Sequence, residues 1–249
     1  MQQRAYSYDL DSLSWTDLAT HLETDPRLIV PIGALDQHGP HLPLGTNVLI
    51  ARRLALDLST EFRVLRAPTF YYGVSIETKE LYAGTTTLRQ KTFHLALNDI
   101  LAGWETHGVE ELILITAHRY EPHIQAIATL YPTGATIRVV QAWDAPIDDL
   151  LEVQETALRA GEAETSVLLH LYPDLVRLER ATDHPIEMKE FQRYLDGRSD
   201  PPLIEAGGGT IGWPSAASAE KGAAIYSRIL DSIRRSIFLE PRDSYSDSL

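Results

Sequence analysis

Pro31 to Asn47 reads PIGALDQHGPHLPLGTN and directly follows the short apolar run Leu28-Ile29-Val30. A brief, continuous apolar run of this kind marks a strand buried on both faces of a parallel sheet. Beyond the loop, Val48 to Phe62 carries apolar residues at helical spacing: Val48, Leu49, Ala51, Leu54, Leu56 and Leu58. Strand, loop and helix in this order open an α/β layer. Asp36, His38, His41 and Asn47 all fall inside the loop of that unit. Hard oxygen and imidazole donors gathered there are what a divalent-metal site requires. Gly39-Pro40 and Gly45 fix the loop in a shape that ordinary turns do not take.

Working outward, Glu111 to Thr116 (ELILIT) is the clearest buried strand, with Val64 to Ala67 and Thr136 to Ala142 as two more. Leu88 to His107 is the clearest amphipathic helix and stops at Gly108. Ser14-Trp15-Thr16-Asp17 caps a short helix. Ile124 to Leu130, Gly161 to Leu171 and Ala219 to Ile237 complete the helical segments. Tyr71 to Thr87 and Gly207 to Pro214 read as loops, and Asp183-His184 as a turn before Pro185. Alternating helices and strands make a mostly parallel central sheet covered by helices the expected architecture. No repeat or low-complexity linker divides the chain, so residues 1–240 are read as one domain followed by a polar, frayed tail at 241–249.

The 249 residues include 35 acids against 22 Lys and Arg, a formal charge of −13. That acidity argues against nucleic acid or anionic lipid as the main partner. No apolar run approaches a membrane span and the N-terminus lacks a signal-peptide core, so the expectation is a cytoplasmic protein. With no cysteine, disulfides and thiolate metal sites are excluded, and any ion is held by oxygen and nitrogen.

The whole chain resembles the creatininase family, the creatinine amidohydrolase-like metallohydrolases. The family's first signature reads approximately P-[IV]-G-S-x-E-Q-H-G-P-H-L-P-L-G-T-D, matched here from Pro31 to Asn47. A second, N-G-H at the end of a central strand, is matched by Thr116-Ala117-His118. A third, H-A-G-E-x-E-T-S, is matched by AGEAETS from Ala160 to Ser166. The resemblance implies a three-layer α/β/α sandwich, often assembled as a homo-oligomer such as a hexamer. It also implies a one- or two-metal centre of zinc, manganese or iron that hydrolyses C–N bonds other than peptide bonds in small cyclic amides or formamides. By position it implies Asp36, His38, Asn47 and His118 as metal ligands, with Glu164 as the carboxylate of the third signature. Glu121, close after His118, is the alternative carboxylate and the candidate to shuttle a proton to the leaving nitrogen.

The departures from the pattern bear on chemistry. Asp36 replaces Glu and shortens the arm by one methylene. Asn47 replaces the Asp that bridges two ions, and a neutral amide offsets their repulsion poorly; one ion rather than two is expected. Arg159 stands where the third signature has His. A guanidinium is no general base at neutral pH, but it can clamp a carboxylate or phosphate of the substrate. Thr116 replaces the Asn of the second signature, and Arg119-Tyr120 replaces a glycine pair. His41, beside Pro40, reads as a support for the loop rather than a ligand. Glu162 and Glu164 lie well apart around their helix, so they do not face one site. Two functions are open: a metal-dependent amidohydrolase, or a protein of the same fold with altered or lost metal chemistry that serves as a biosynthetic enzyme or a ligand-binding subunit.

Overall fold

The computed structural model describes residues 7–75, 82–131, 134–196 and 207–239; the 241–249 tail lies outside them. Four parallel strands form one sheet in the order β2-β1-β3-β4: β1 Arg27–Ile32, β2 Leu65–Arg66, β3 Glu111–Thr116 and β4 Thr136–Gln141. Seven α-helices are seen among the described residues: α1 Trp15–Leu22, α2 Thr46–Phe62, α3 Gln90–Thr106, α4 Glu121–Ala128, α5 Glu162–Leu171, α6 Met188–Leu195 and α7 Ala219–Ile233. No helix among the described residues is long and apolar enough to cross a membrane.

The two central strands are buried on both faces, which is why their sequences are unbroken apolar runs rather than alternations. Their side chains still divide by parity. Leu28, Val30, Ile32, Leu112 and Leu114 join the core that holds Phe93, Leu97 and Leu101 of α3 and Ala126 and Ile127 of α4. Ile29, Ile113 and Ile115 face the opposite core with Leu54 and Leu58 of α2, Val167 and Leu168 of α5 and Ile225 and Ile229 of α7. The outcome is the three-layer α/β/α sandwich with a parallel central sheet.

Helix ends follow local chemistry. Ser14 caps α1 by accepting from the Asp17 N–H, and Asp17 reaches back to the Ser14 N–H at 3.3 Å. Helix α7 packs on α5 so tightly that a Cβ on Gly222 would lie 1.9 Å from the Ser166 carbonyl oxygen. The expected closing helix to Ile237 ends as an α-helix at Ile233 and continues as a π-helical turn over Arg234–Leu239. β2 is shorter than its apolar run, because only Leu65 and Arg66 keep register with Leu28 and Ile29 at the sheet edge.

This topology fixes where a ligand can sit. From β1 the chain runs to β2 on one side, then crosses to β3 on the other. The switch point therefore lies between the carboxyl ends of β1 and β3, the usual crevice for ligands in open α/β sheets. The signature loop leaves β1 there, and His118 follows β3 by two residues.

Candidate functional site

The loop after β1 is held from several sides. The Asp36 N–H donates to the Leu44 carbonyl at 3.0 Å, and the Gln37 N–H to Thr85 Oγ1 at 3.0 Å. Gly39 has φ +67 and Gly209 φ +94, and a Cβ on Gly209 would fall 1.8 Å from Gln37 Oε1. The glycine loop after residue 207 therefore approaches the signature loop backbone-first. The loop after β3 is pinned by the start of the next segment: Trp143 Nε1 donates to the Ala117 carbonyl at 2.8 Å, and Gln141 Nε2 to the His118 carbonyl at 3.0 Å.

Into this crevice the fold brings Asp36, His38, Asn47, His118, Arg159 and Glu164, all buried. Asp36 faces the Arg159 guanidinium at 2.7 Å, and Arg159 also donates to the Gln37 carbonyl. Burial alone would raise the Asp36 carboxyl; the Arg159 guanidinium outweighs it and holds that carboxyl below its ordinary value. His38 donates from Nδ1 to the Asp36 carbonyl at 2.8 Å, which leaves an Nε2 lone pair 3.8 Å from Glu164 Oε2. Burial, then the Arg159 charge, lowers His38 to about 3, so it is neutral. Glu164 Oε2 accepts the Ala160 N–H at 2.6 Å, and burial pushes its carboxyl up to about 7 against the opposing pull of that hydrogen bond and of Arg159. Ala160 itself takes φ +51, an unusual value for a non-glycine residue. It is held there by Glu164 and by His41 Nε2, which donates to the Ala160 carbonyl at 3.1 Å.

His118 donates from Nε2 to the Val74 carbonyl at 2.8 Å, and its Nδ1 accepts from the Asn47 amide nitrogen at 2.8 Å. Burial lowers it to about 4. Three neighbours outside the expected set of site residues join them. His123 lies edge-on to His118, accepts from the Val74 N–H at 3.2 Å and sits 3.3 Å from Thr116 Oγ1. Ser75 Oγ is 3.4 Å from His118 Nε2. Arg119 donates to Thr156 Oγ1 at 2.7 Å and feels the Glu164 charge. Glu121 opens α4, half-buried, and none of the cluster's hydrogen bonds reaches it; Glu164 is the carboxylate brought to His38. Glu162 faces elsewhere, as expected, pairing with Lys221 and accepting the Glu152 N–H at 2.8 Å.

Whether these groups fit a divalent ion follows from where their lone pairs point. An ion needs several lone pairs aimed at one point about 2.0–2.2 Å away. Among the described residues no three His, Asp or Glu side chains form such a group. Both ring nitrogens of His118 are engaged, and Asn47 turns an N–H, not its oxygen, into the cluster. Among the described residues no donor other than Arg159 reaches the Asp36 oxygens, so its charge is met by the guanidinium. A dication held by Asp36 would stand beside that guanidinium, like charge against like charge. The expected ligand set Asp36, His38, Asn47, His118 and Glu164 is thus gathered in one crevice but not aimed at one ion, and in this arrangement it does not fit the family's metal centre.

The arrangement can be set beside known proteins. The creatininase family profile, described as creatinine amidohydrolase, matches residues 11–237. Creatinine amidohydrolase from Pseudomonas putida is 30% identical over 236 residues, covering 86% of this chain and 89% of that protein. The mycofactocin precursor peptide peptidase of Mycobacterium tuberculosis (strain ATCC 25618 / H37Rv) is 28% identical over 243 residues, covering 86% and 85%. A solved structure described as "Creatininase Mn" superposes with a TM-score of 0.78 at 26% identity, covering 92% of this chain and 98% of its own. With the signature loop at the switch point and a match running from the first helix to the last, the chain belongs to the creatininase family.

Proposed function

We propose that the chain hydrolyses an amide-type C–N bond of a small cyclic amide or formamide in the crevice between β1 and β3. The observation that carries this reading is the buried convergence of Asp36, His38, His118, Arg159 and Glu164 at that point in a fold whose relatives bear the names of amide-cleaving enzymes. Relatives described as a Zn-Zn type and as an Mn creatininase support a divalent ion in the family. A bound ion would polarise the carbonyl and activate water. The side chains of this chain do not fit one, and the steps below are theirs alone.

Glu164 takes a proton from water as the water oxygen bonds to the carbonyl carbon. Near neutral pH its carboxyl is divided between charged and neutral forms, which suits a group that first accepts a proton and then returns it. Arg159, with Asp36 as its counter-charge, supplies fixed positive charge where the oxyanion develops. The proton then passes from Glu164 to the leaving nitrogen, the C–N bond breaks, and an acid and an amine are released. His38 and His118, both neutral, shape the pocket and offer hydrogen bonds rather than charge.

A panel of cyclic amides, formamides and short peptides, assayed for amine release with and without added Zn2+ or Mn2+, tests this. Turnover of one class that disappears in Glu164→Gln supports it. A second reading, a ligand-binding member without turnover, is favoured by the neutral Asn47 and by Arg159 in the histidine position. Saturable binding of a panel compound with no product under any condition would select it.

A further inference from the structure

We infer that Arg159 has replaced the metal ion as the cation of this site, so that the chain handles its substrate without a bound divalent metal. The inference deepens the hydrolase reading and rests on it for the identity of the substrate, but not for its test. Three independent features point the same way. The guanidinium lies 2.7 Å from Asp36, the position matching the family's first ligand, and its position is fixed by a second bond to the Gln37 carbonyl. Its backbone is fixed as well, because the Ile211 N–H donates to the Arg159 carbonyl at 2.8 Å and the next residue, Ala160, is held at φ +51. The position of the bridging carboxylate is taken by Asn47, which spends its amide nitrogen on His118 Nδ1. That bond and the Val74 carbonyl together occupy both nitrogens of the imidazole. Apart from Arg159, no hydrogen-bond donor reaches the Asp36 oxygens among the described residues, so the guanidinium is what compensates a carboxylate sealed from water. A permanently charged, planar cation there suits an oxygen of the substrate, a carbonyl or a carboxylate, in the role an ion plays elsewhere.

The test reads ions rather than turnover. Native protein, purified without chelator, is equilibrated with excess Zn2+ or Mn2+, desalted and analysed for metal, and its Tm is followed against each ion. Native chain is expected to retain far less than one ion per chain and to show no ion-dependent Tm. Arg159→Gln, which removes the charge and leaves Asp36 uncompensated, is expected to gain an ion-dependent rise in Tm. The pair Asn47→Asp with Arg159→His is expected to retain at least one ion per chain. If the paired variant fails to fold, the native and Arg159→Gln measurements decide. Native protein that retains a full equivalent of metal overturns the inference, as does an Arg159→Gln protein that stays indifferent to both ions. Absence of hydrolysis across the substrate panel would sink the hydrolase reading while leaving this result standing.

Discussion

Glu164 is the side chain on which the proposed chemistry turns, because it alone in the crevice combines a proton affinity near neutrality with a place beside His38. Replacing it with Gln keeps an oxygen that can accept the Ala160 N–H, so the protein should fold while kcat falls by about 10²–10⁴; circular dichroism with a turnover assay checks both. A base must be ionised to act. With its carboxyl raised to about 7 by burial, kcat should climb as pH rises through that value and level off above it. A profile flat between pH 6 and 8 would remove Glu164 from the role. Most of the crevice was legible in sequence, since Asp36, His38, Asn47, His118, Arg159 and Glu164 all follow from three signatures at element ends. What was hidden is how they pair. Nothing local links Asp36 to Arg159, and only the folded contact between the α5 entry and the β1 loop makes the expected substrate clamp half of an internal ion pair as well. His123 escaped notice because the helix was expected to begin at Ile124, whereas α4 begins at Glu121 and carries His123 in its first turn, stacked on Phe93.

At the scale of elements, the α5–α7 contact sets how firmly the third signature is held against the sheet. Gly222 permits the approach, and a methyl there would collide with backbone that has no freedom to rotate away. Gly222→Ala should cost about 1–3 kcal/mol or more, read as a lower urea midpoint at unchanged m-value. The same two helices share a buried ion pair between Lys221 and Glu162, the latter wholly enclosed. Lys221→Met would strand that carboxylate and should destabilise by about 3–5 kcal/mol, whereas changing both partners to apolar residues should recover much of the loss. Elements with strong periodicity or unbroken apolar runs matched expectation to within a few residues: β1, β3, α2 and α3. Weak signals fared worse. Met188–Leu195 forms α6, a short segment with Met188, Phe191 and Leu195 at helical spacing that lies outside the expected helices, and the last helix loosens into a π-turn at Arg234 while Ile237 and Phe238 still pack on the core.

Across the whole molecule the buried histidines make the fold acid-sensitive, and the sign can be worked out. Burial holds His38 at about 3, His41 and His118 at about 4, and His123 well below its ordinary value. Around them stand Asp36, Arg159, Glu164 and Arg119 as the charged or titrating neighbours. In the unfolded chain each imidazole protonates near 6.5. Between that pH and about 4 the unfolded state therefore binds protons that the folded state refuses, and stability falls as pH falls. Each unit of difference is worth about 1.4 kcal/mol, so a single such histidine removes about 3 kcal/mol by the bottom of the window, against a total of about 5–15 kcal/mol for a typical domain. Glu164 works in the opposite sense: its raised carboxyl contributes stability below about 4.5 that is lost as pH rises through about 7. Asp144, raised by burial, works in the same sense as Glu164, and His21, lowered by burial, in the sense of the other imidazoles, so the imidazoles decide the balance. Urea midpoints should drop steeply from pH 7.5 to 5 and unfolding should be complete in mild denaturant near pH 4, with His41→Gln and His123→Gln variants showing a shallower pH slope than the native chain. A midpoint that holds constant to pH 4.5 would mean that these imidazoles accept protons in place, and that the crevice is wetter than its packing implies.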